Sequence, residues 1–227
     1  MGNLFDYSIN ELFAPQWLDE ETCACTEGVM GPVLEADVLV KLVKSTAFGT
    51  GGHPVTTAVF RELKELIASD DNCFKAHESE IGRPRILEVD AGSGLLLFLA
   101  KKLNKRLKLS AVIAPEETDT LWRNQRWNKI KNVEQILFSQ FATHDSLPKH
   151  KHAFDLIFTQ RGQYNWQTSF DIALGHFHHC LAPSGKLIYS GFPHAELPLA
   201  LHIFGEFFHV MKVSIERGWP VLVGCPR

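Results

Sequence analysis

The stretch Glu88-Val89-Asp90-Ala91-Gly92-Ser93-Gly94 constrains the fold more than any other part of the chain. It follows the short apolar run Arg85-Ile86-Leu87 and opens directly into Leu95-Leu96-Leu97-Phe98-Leu99-Ala100-Lys101-Lys102-Leu103. That order reads as a strand, a glycine-rich turn and an apolar helix. Glycines at such a turn reach backbone angles closed to other residues and let a ligand approach the main chain. The helix behind them offers its first N–H groups and a positive dipole end to a polar or anionic group. A Gly-x-Gly pair alone is a weak signal, so the surrounding pattern decides.

From residue 85 onward strand and helix alternate. Strands are expected at 85–90, 107–113, 133–138, 153–159 and 186–191, helices at 94–103, 117–130 and 167–180. Phe207 to Glu216 then reads as a long strand, Arg217-Gly218 as a turn and Trp219 to Cys225 as a second strand. This is an α/β pattern with a seven-stranded, mostly parallel, Rossmann-like sheet and an antiparallel C-terminal hairpin. Upstream, Asn3 to Leu18 carries scattered apolar residues around Pro15, enough for one short helix, and Ala36 to Val43 alternates like a strand. Ser45 to Thr57 is a loop with three glycines. His53-Pro54 ends it and starts a helix whose buried face is Val55, Val59, Leu63, Leu66 and Ile67. Asp70 to Pro84 is a polar linker. The expected organisation is an extension, 1–45, packing on a main domain, 46–227.

Composition removes several classes of function. Net charge is -3 over 227 residues and no region is basic throughout, so nucleic acid is not an expected partner. No apolar run is long enough to span a membrane, and Met1-Gly2-Asn3-Leu4 lacks the order of a signal peptide. Asp6 stands where a myristoylation signal wants Ser or Thr. Five scattered cysteines read as reduced thiols of a cytoplasmic protein. Cys23-Ala24-Cys25 lacks a second ligand pair, and the histidines of His176-Phe177-His178-His179-Cys180 fit a helix end. No metal is expected at either. Trp122 and Trp127 are expected to pack on the sheet.

Two motifs in this order resemble one family. Ala47-Phe48-Gly49-Thr50-Gly51-Gly52-His53-Pro54, followed by Thr56-Thr57, is similar to the signature of the bacterial methyltransferases that modify ribosomal protein eleven of the large subunit (PrmA-type). Ile86-Leu87-Glu88-Val89-Asp90-Ala91-Gly92-Ser93-Gly94 resembles the S-adenosylmethionine loop of class I methyltransferases. Phe154-Asp155-Leu156-Ile157 looks like that fold's fourth strand, and Leu181 to Gly191 like the turn into its fifth. The resemblance covers residues 36–226. It implies S-adenosylmethionine-dependent methylation of a protein amine, from a lysine or an N-terminus, with a ribosomal protein as a possible substrate. It implies cofactor contacts at Phe48, Gly49, Thr50, Glu88, Asp90, Gly92, Gly94 and the position of Val112, and a catalytic contact at Gln160. The family's substrate-capturing ferredoxin-like domain has no counterpart expected within residues 1–35.

Three positions depart from the family pattern. Asp90 replaces a glycine near the amino-acid end of the cofactor. There it either repels the cofactor carboxylate, by about 4 kcal/mol at ~4 Å and an effective dielectric of 20, or faces the ammonium or takes a proton. In Ala111-Val112-Ile113-Ala114-Pro115-Glu116-Glu117, Val112 and Ala114 stand where the family has acidic residues, the first of which accepts both ribose hydroxyls. Losing hydrogen bonds to a charged acceptor costs about 1.5–3 kcal/mol, with Glu116 or Glu117 the residues that would reach back. Gln160 replaces an asparagine, keeping the amide with one more methylene. The alternative reading is therefore a catalytically degenerate relative that acts as a binding or regulatory module. A third is a pocket for another nucleotide.

Overall fold

The computed structural model describes residues 16–19, 22–26, 39–43, 54–68, 83–141, 147–160, 170–192, 194–216 and 218–227. Strands β1 (Gln16–Asp19), β2 (Thr22–Thr26) and β3 (Leu39–Val43) form an antiparallel three-stranded sheet in that order. The strand expected at 36–43 is present over its described residues, Leu39–Val43. Of the stretch 3–18, where one short helix is expected, residues 3–15 lie outside the described residues, and Gln16–Asp19 is extended and pairs with Thr22–Ala24.

Helix α1 (Pro54–Ala68) comes next, followed by the second sheet. Its strands are β4 (Arg85–Val89), β5 (Lys108–Ile113), β6 (Val133–Leu137), β7 (Phe154–Thr159), β8 (Leu181–Ser190), β9 (Phe208–Glu216) and β10 (Trp219–Pro226). Their spatial order is β6-β5-β4-β7-β8-β10-β9. The first five run parallel, and β10 is antiparallel to both β8 and β9. The intervening helices are α2 (Leu95–Leu103), α3 (Thr118–Trp127), the short α4 (Phe138–Phe141) and α5 (Leu147–His150), α6 (Phe170–Cys180) and α7 (Leu197–Phe207). Strand β8 begins five residues earlier than expected: Leu181 pairs with Phe154 and Lys186 with Leu156, so Ala182–Gly185 loops out of register between them.

Alternation along the strands feeds two cores. Ile86, Leu109, Ala111, Ile113, Leu156 and Phe158 pack with Val59, Phe60 and Leu63 of α1 and with Leu95–Ala100 of α2. On the other face Leu87, Val89, Val112, Ile157, Leu187 and Tyr189 meet Leu174 and Phe177 of α6 and Phe204 of α7. Each fully buried Leu, Ile or Phe contributes roughly 1.5–3 kcal/mol, which ties the helices to both faces of the sheet. Among the described residues no helix is long and apolar enough to cross a membrane. The chain winds from β4 through β5 to β6 in one direction and restarts at β7 on the other side of β4. That reversal is a topological switch point, and the crevice beyond the carboxyl ends of the strands at such a point is the place where open parallel sheets bind ligands.

Candidate active site

The turn from β4 into α2 is held by the chain's own backbone. Ala91 N–H donates to the Val112 carbonyl at 3.0 Å and Gly94 N–H to the Ala91 carbonyl at 2.8 Å. Asn124 of α3 donates its side-chain amide to the Ser93 carbonyl at 2.9 Å. Asp90, Gly92 and Gly94 all take left-handed backbone angles, with φ of 60°, 52° and 79°. The two glycines suit those angles. Aspartate tolerates them better than most residues but still bears strain.

Glu88 projects from β4 toward α1 and α2 and is fully buried. Its Oε2 accepts from Leu97 N–H at 3.2 Å, satisfying a donor in the first turn of α2. Its Oε1 accepts from Gln160 Nε2 at 2.8 Å. Gln160, immediately after β7, accepts at Oε1 from the Thr56 hydroxyl of α1 at 2.6 Å. One hydrogen-bonded chain therefore links β4, β7 and α1 at the carboxyl ends of the two strands.

A second carboxylate approaches from the next strand. Glu117 ends a 3-10 turn (Pro115–Glu117) after β5, and its Oε2 accepts from Ala114 N–H at 3.4 Å. Its Oε1 lies 3.5 Å from where a β-carbon on Gly92 would stand. Of the two glutamates left open by the sequence, Glu117 is thus the one that folds back to the glycine turn. Asp90, Glu88 and Glu117 are all buried around that turn. Val112 is not among them. Its side chain is fully buried in the second core with Leu87, Val89 and Ile136, and it serves the turn through its carbonyl alone.

Phe48, Gly49 and Thr50 lie outside the described residues. Among those that are described, no three His, Cys, Asp or Glu side chains stand close enough to hold a metal ion. His178 packs edge-on against Phe208 and His179 stacks on His152, while the His152 backbone N–H donates to the His179 carbonyl at the end of α6. Trp122 departs from expectation: it is 47% exposed, and Arg126 lies over its ring at 4.7 Å. A cation–π pair one helical turn apart holds it on the surface.

The family described as ribosomal protein L11 methyltransferase (PrmA) matches residues 7–225. The chain belongs to this family. A ribosomal protein L11 methyltransferase of Lactobacillus johnsonii is 24% identical over 219 residues, covering 95% of this chain and 58% of its own length. One from Herpetosiphon aurantiacus is 27% identical over 197 residues, 79% of this chain and 52% of the relative. The chain thus spans little more than half the length of these PrmA relatives. Among solved structures, the ribosomal protein L11 methylase of Lactobacillus delbrueckii subsp. bulgaricus superposes with a TM-score of 0.58 at 23% identity, over 82% of this chain and 84% of that one. A precorrin-6y C5,15-methyltransferase from Geobacter metallireducens gives 0.51 at 12% identity, over 64% and 81%. These likenesses establish a Rossmann-like methyltransferase fold.

Proposed function

We propose that the chain is an S-adenosylmethionine-dependent methyltransferase acting on a protein amine, a lysine or an N-terminus, with a ribosomal protein of the L11 kind as substrate. The observation that carries this reading is the acceptor-lined crevice at the β4/β7 reversal, where Glu117 faces Gly92 and Asp90 lies in the same turn. Besides its one carboxylate, S-adenosylmethionine carries a sulfonium, an ammonium and two ribose hydroxyls, so carboxylate acceptors placed at those groups fit it. The same carboxylates repel a phosphate, which disfavours the pocket for another nucleotide. Gly92 would let the cofactor approach the main chain. Glu117 would accept the ribose hydroxyls in place of the acidic residue missing at Val112, and Asp90 would face the ammonium. Phe48, Gly49 and Thr50 would close over the methyl end.

When bound, the cofactor supplies an activated methyl group. The chain's own part is to place the amine and exclude water, since positioning supplies most of the rate in such a transfer. Gln160 Oε1 would accept an N–H of the incoming amine. Thermal unfolding with and without S-adenosylmethionine and S-adenosylhomocysteine tests the reading. Ligand at a hundred times its dissociation constant adds about 2.7 kcal/mol, a rise of roughly 5–10 °C in a domain of this size. No rise at millimolar ligand would sink the enzyme reading in favour of the binding module, which the strained Asp90 and the core-facing Val112 would then explain.

A further inference from the structure

We infer that Glu88 is a positioning residue: its carboxylate fixes the direction in which Gln160 presents its amide, and so makes the crevice select a hydrogen-bond donor as the methyl acceptor. The inference rests on the reading that Gln160 meets the incoming amine.

A carboxylate only accepts, so the Gln160 group 2.8 Å from Glu88 Oε1 is the amide NH2. The carbonyl Oε1 must then point the other way, where the Thr56 hydroxyl donates to it at 2.6 Å. The reversed amide would set two acceptors against each other at the Glu88 contact. Thr56 alone could not enforce the choice, because a hydroxyl donates or accepts with equal ease. Glu88 cannot turn aside either, since its other oxygen holds Leu97 N–H and the side chain is fully buried. The direction of the Gln160 amide is therefore set by Glu88 from within the fold. Oε1 has two lone pairs, so an amine N–H can join the Thr56 hydroxyl on it or displace it. A methyl acceptor offering only lone pairs in that place would be refused.

Helix capping alone would also explain why Glu88 is buried, and Glu88→Gln separates the two roles. The substituted side chain keeps the shape and can still accept from Leu97 N–H with its carbonyl. Its NH2 then faces Gln160 and forces that amide to reverse, presenting a donor to the crevice. The swap Glu88→Gln with Gln160→Glu restores an outward acceptor. The new amide donates to one oxygen of the new carboxylate, and the other oxygen faces out.

Calorimetric affinity for S-adenosylhomocysteine, kcat for methyl transfer to ribosomal protein L11, and the Gln160 side-chain amide resonances would be measured in all forms that retain that amide. In Glu88→Gln kcat should fall roughly tenfold to a hundredfold and the Gln160 amide signals should move. The swap should recover most of the lost kcat. A Glu88→Gln protein with undiminished kcat, or a swap with no recovery, overturns the inference. Failure of the unaltered protein to bind S-adenosylhomocysteine would instead overturn the functional reading. If it binds but leaves L11 unmodified, the resonances decide: Gln160 amide signals that move in Glu88→Gln uphold the positioning, and unmoved signals overturn it.

Discussion

A β-carbon on Gly94 would stand 2.5 Å from Leu121 Cδ1, a separation that packed atoms do not adopt. The same carbon would lie 2.8 Å from Phe98 Cζ, so the missing side chain of Gly94 makes room for the chain's own α2 and α3. At Gly92 the nearest atom is Glu117 Oε1 at 3.5 Å, an ordinary contact. The two glycines of one turn thus serve different ends, close packing at Gly94 and an open main chain at Gly92.

Substitution should separate them. Gly92→Ala bears only the left-handed backbone penalty, about 1 kcal/mol. Gly94→Ala bears that penalty and an overpacked contact, about 3 kcal/mol together. Urea unfolding midpoints of the two variants measure the difference, and equal losses would contradict the packing found at Leu121. A bulkier residue at Gly94 would report on folding before it reported on binding.

An acidic residue placed at Val112 should unfold the protein rather than tighten its hold on the cofactor. Val112 is fully buried between Leu87, Val89 and Ile136 on the face opposite Glu88. Val112→Asp would bury an uncompensated carboxylate there, at a cost of about 3 kcal/mol or more. Denaturant unfolding measures the loss. A variant of unchanged stability that binds S-adenosylhomocysteine more tightly would mean that position 112 faces the crevice.

Much of this architecture is legible in the sequence, for reasons that also mark where legibility ends. The unit β4–turn–α2 and the strands around it are short apolar runs broken by glycines and polar turns, and their expected ends agree with the structure within a few residues. Helix α7 escaped because Leu197–Phe207 is apolar on nearly every side and contains Gly205, so no 3.6-residue stripe stands out. The face that Val112 occupies was equally hidden: Ala111, Val112 and Ile113 are all buried and apolar, and alternation leaves no polar mark to read. At the site, motif position picked out Glu88 and Gln160. Their bond to each other spans 72 residues and the one to Thr56 spans 104, so only the fold brings these three together. Glu117 was open in the sequence because its approach to Gly92 depends on a turn and a rotamer.

Lys212 should stabilise the fold at neutral pH and cease to do so in strong alkali. Its ammonium lies 2.8 Å from Glu62 Oε2 and 2.7 Å from Glu65 Oε2, and Ser214 donates to Glu62 Oε1 at 2.9 Å. Burial works to lower the Lys212 pKa, and hydrogen bonds to Glu62 and Glu65 outweigh it, leaving the value raised above 10.5. A raised folded-state pKa means the contribution is complete below 10.5 and is lost as pH rises through the folded value. Lys212→Met leaves the buried Glu62 without this cation. Because Lys212 is partly exposed, the cost is discounted to about 1–2 kcal/mol at pH 7. Unfolding free energies of both proteins between pH 7 and 12 should converge at the alkaline end. A constant gap would show that the ion pair is not the cause.

Cys180 should resist alkylation for as long as the fold persists. It closes α6 inside the second core, and burial pushes its thiol up to about 12. Only the thiolate attacks iodoacetamide, and at pH 8 such a thiol is ionised to about one part in ten thousand. Cys225, near the end of β10, is only partly covered. Native protein treated with iodoacetamide and mapped by peptide mass should carry label at Cys225 and none at Cys180. Denaturant should expose Cys180 along the same transition that unfolds the sheet. Native labelling of Cys180 at the rate of Cys225 would mean that α6 opens locally and that the second core is looser than its packing indicates.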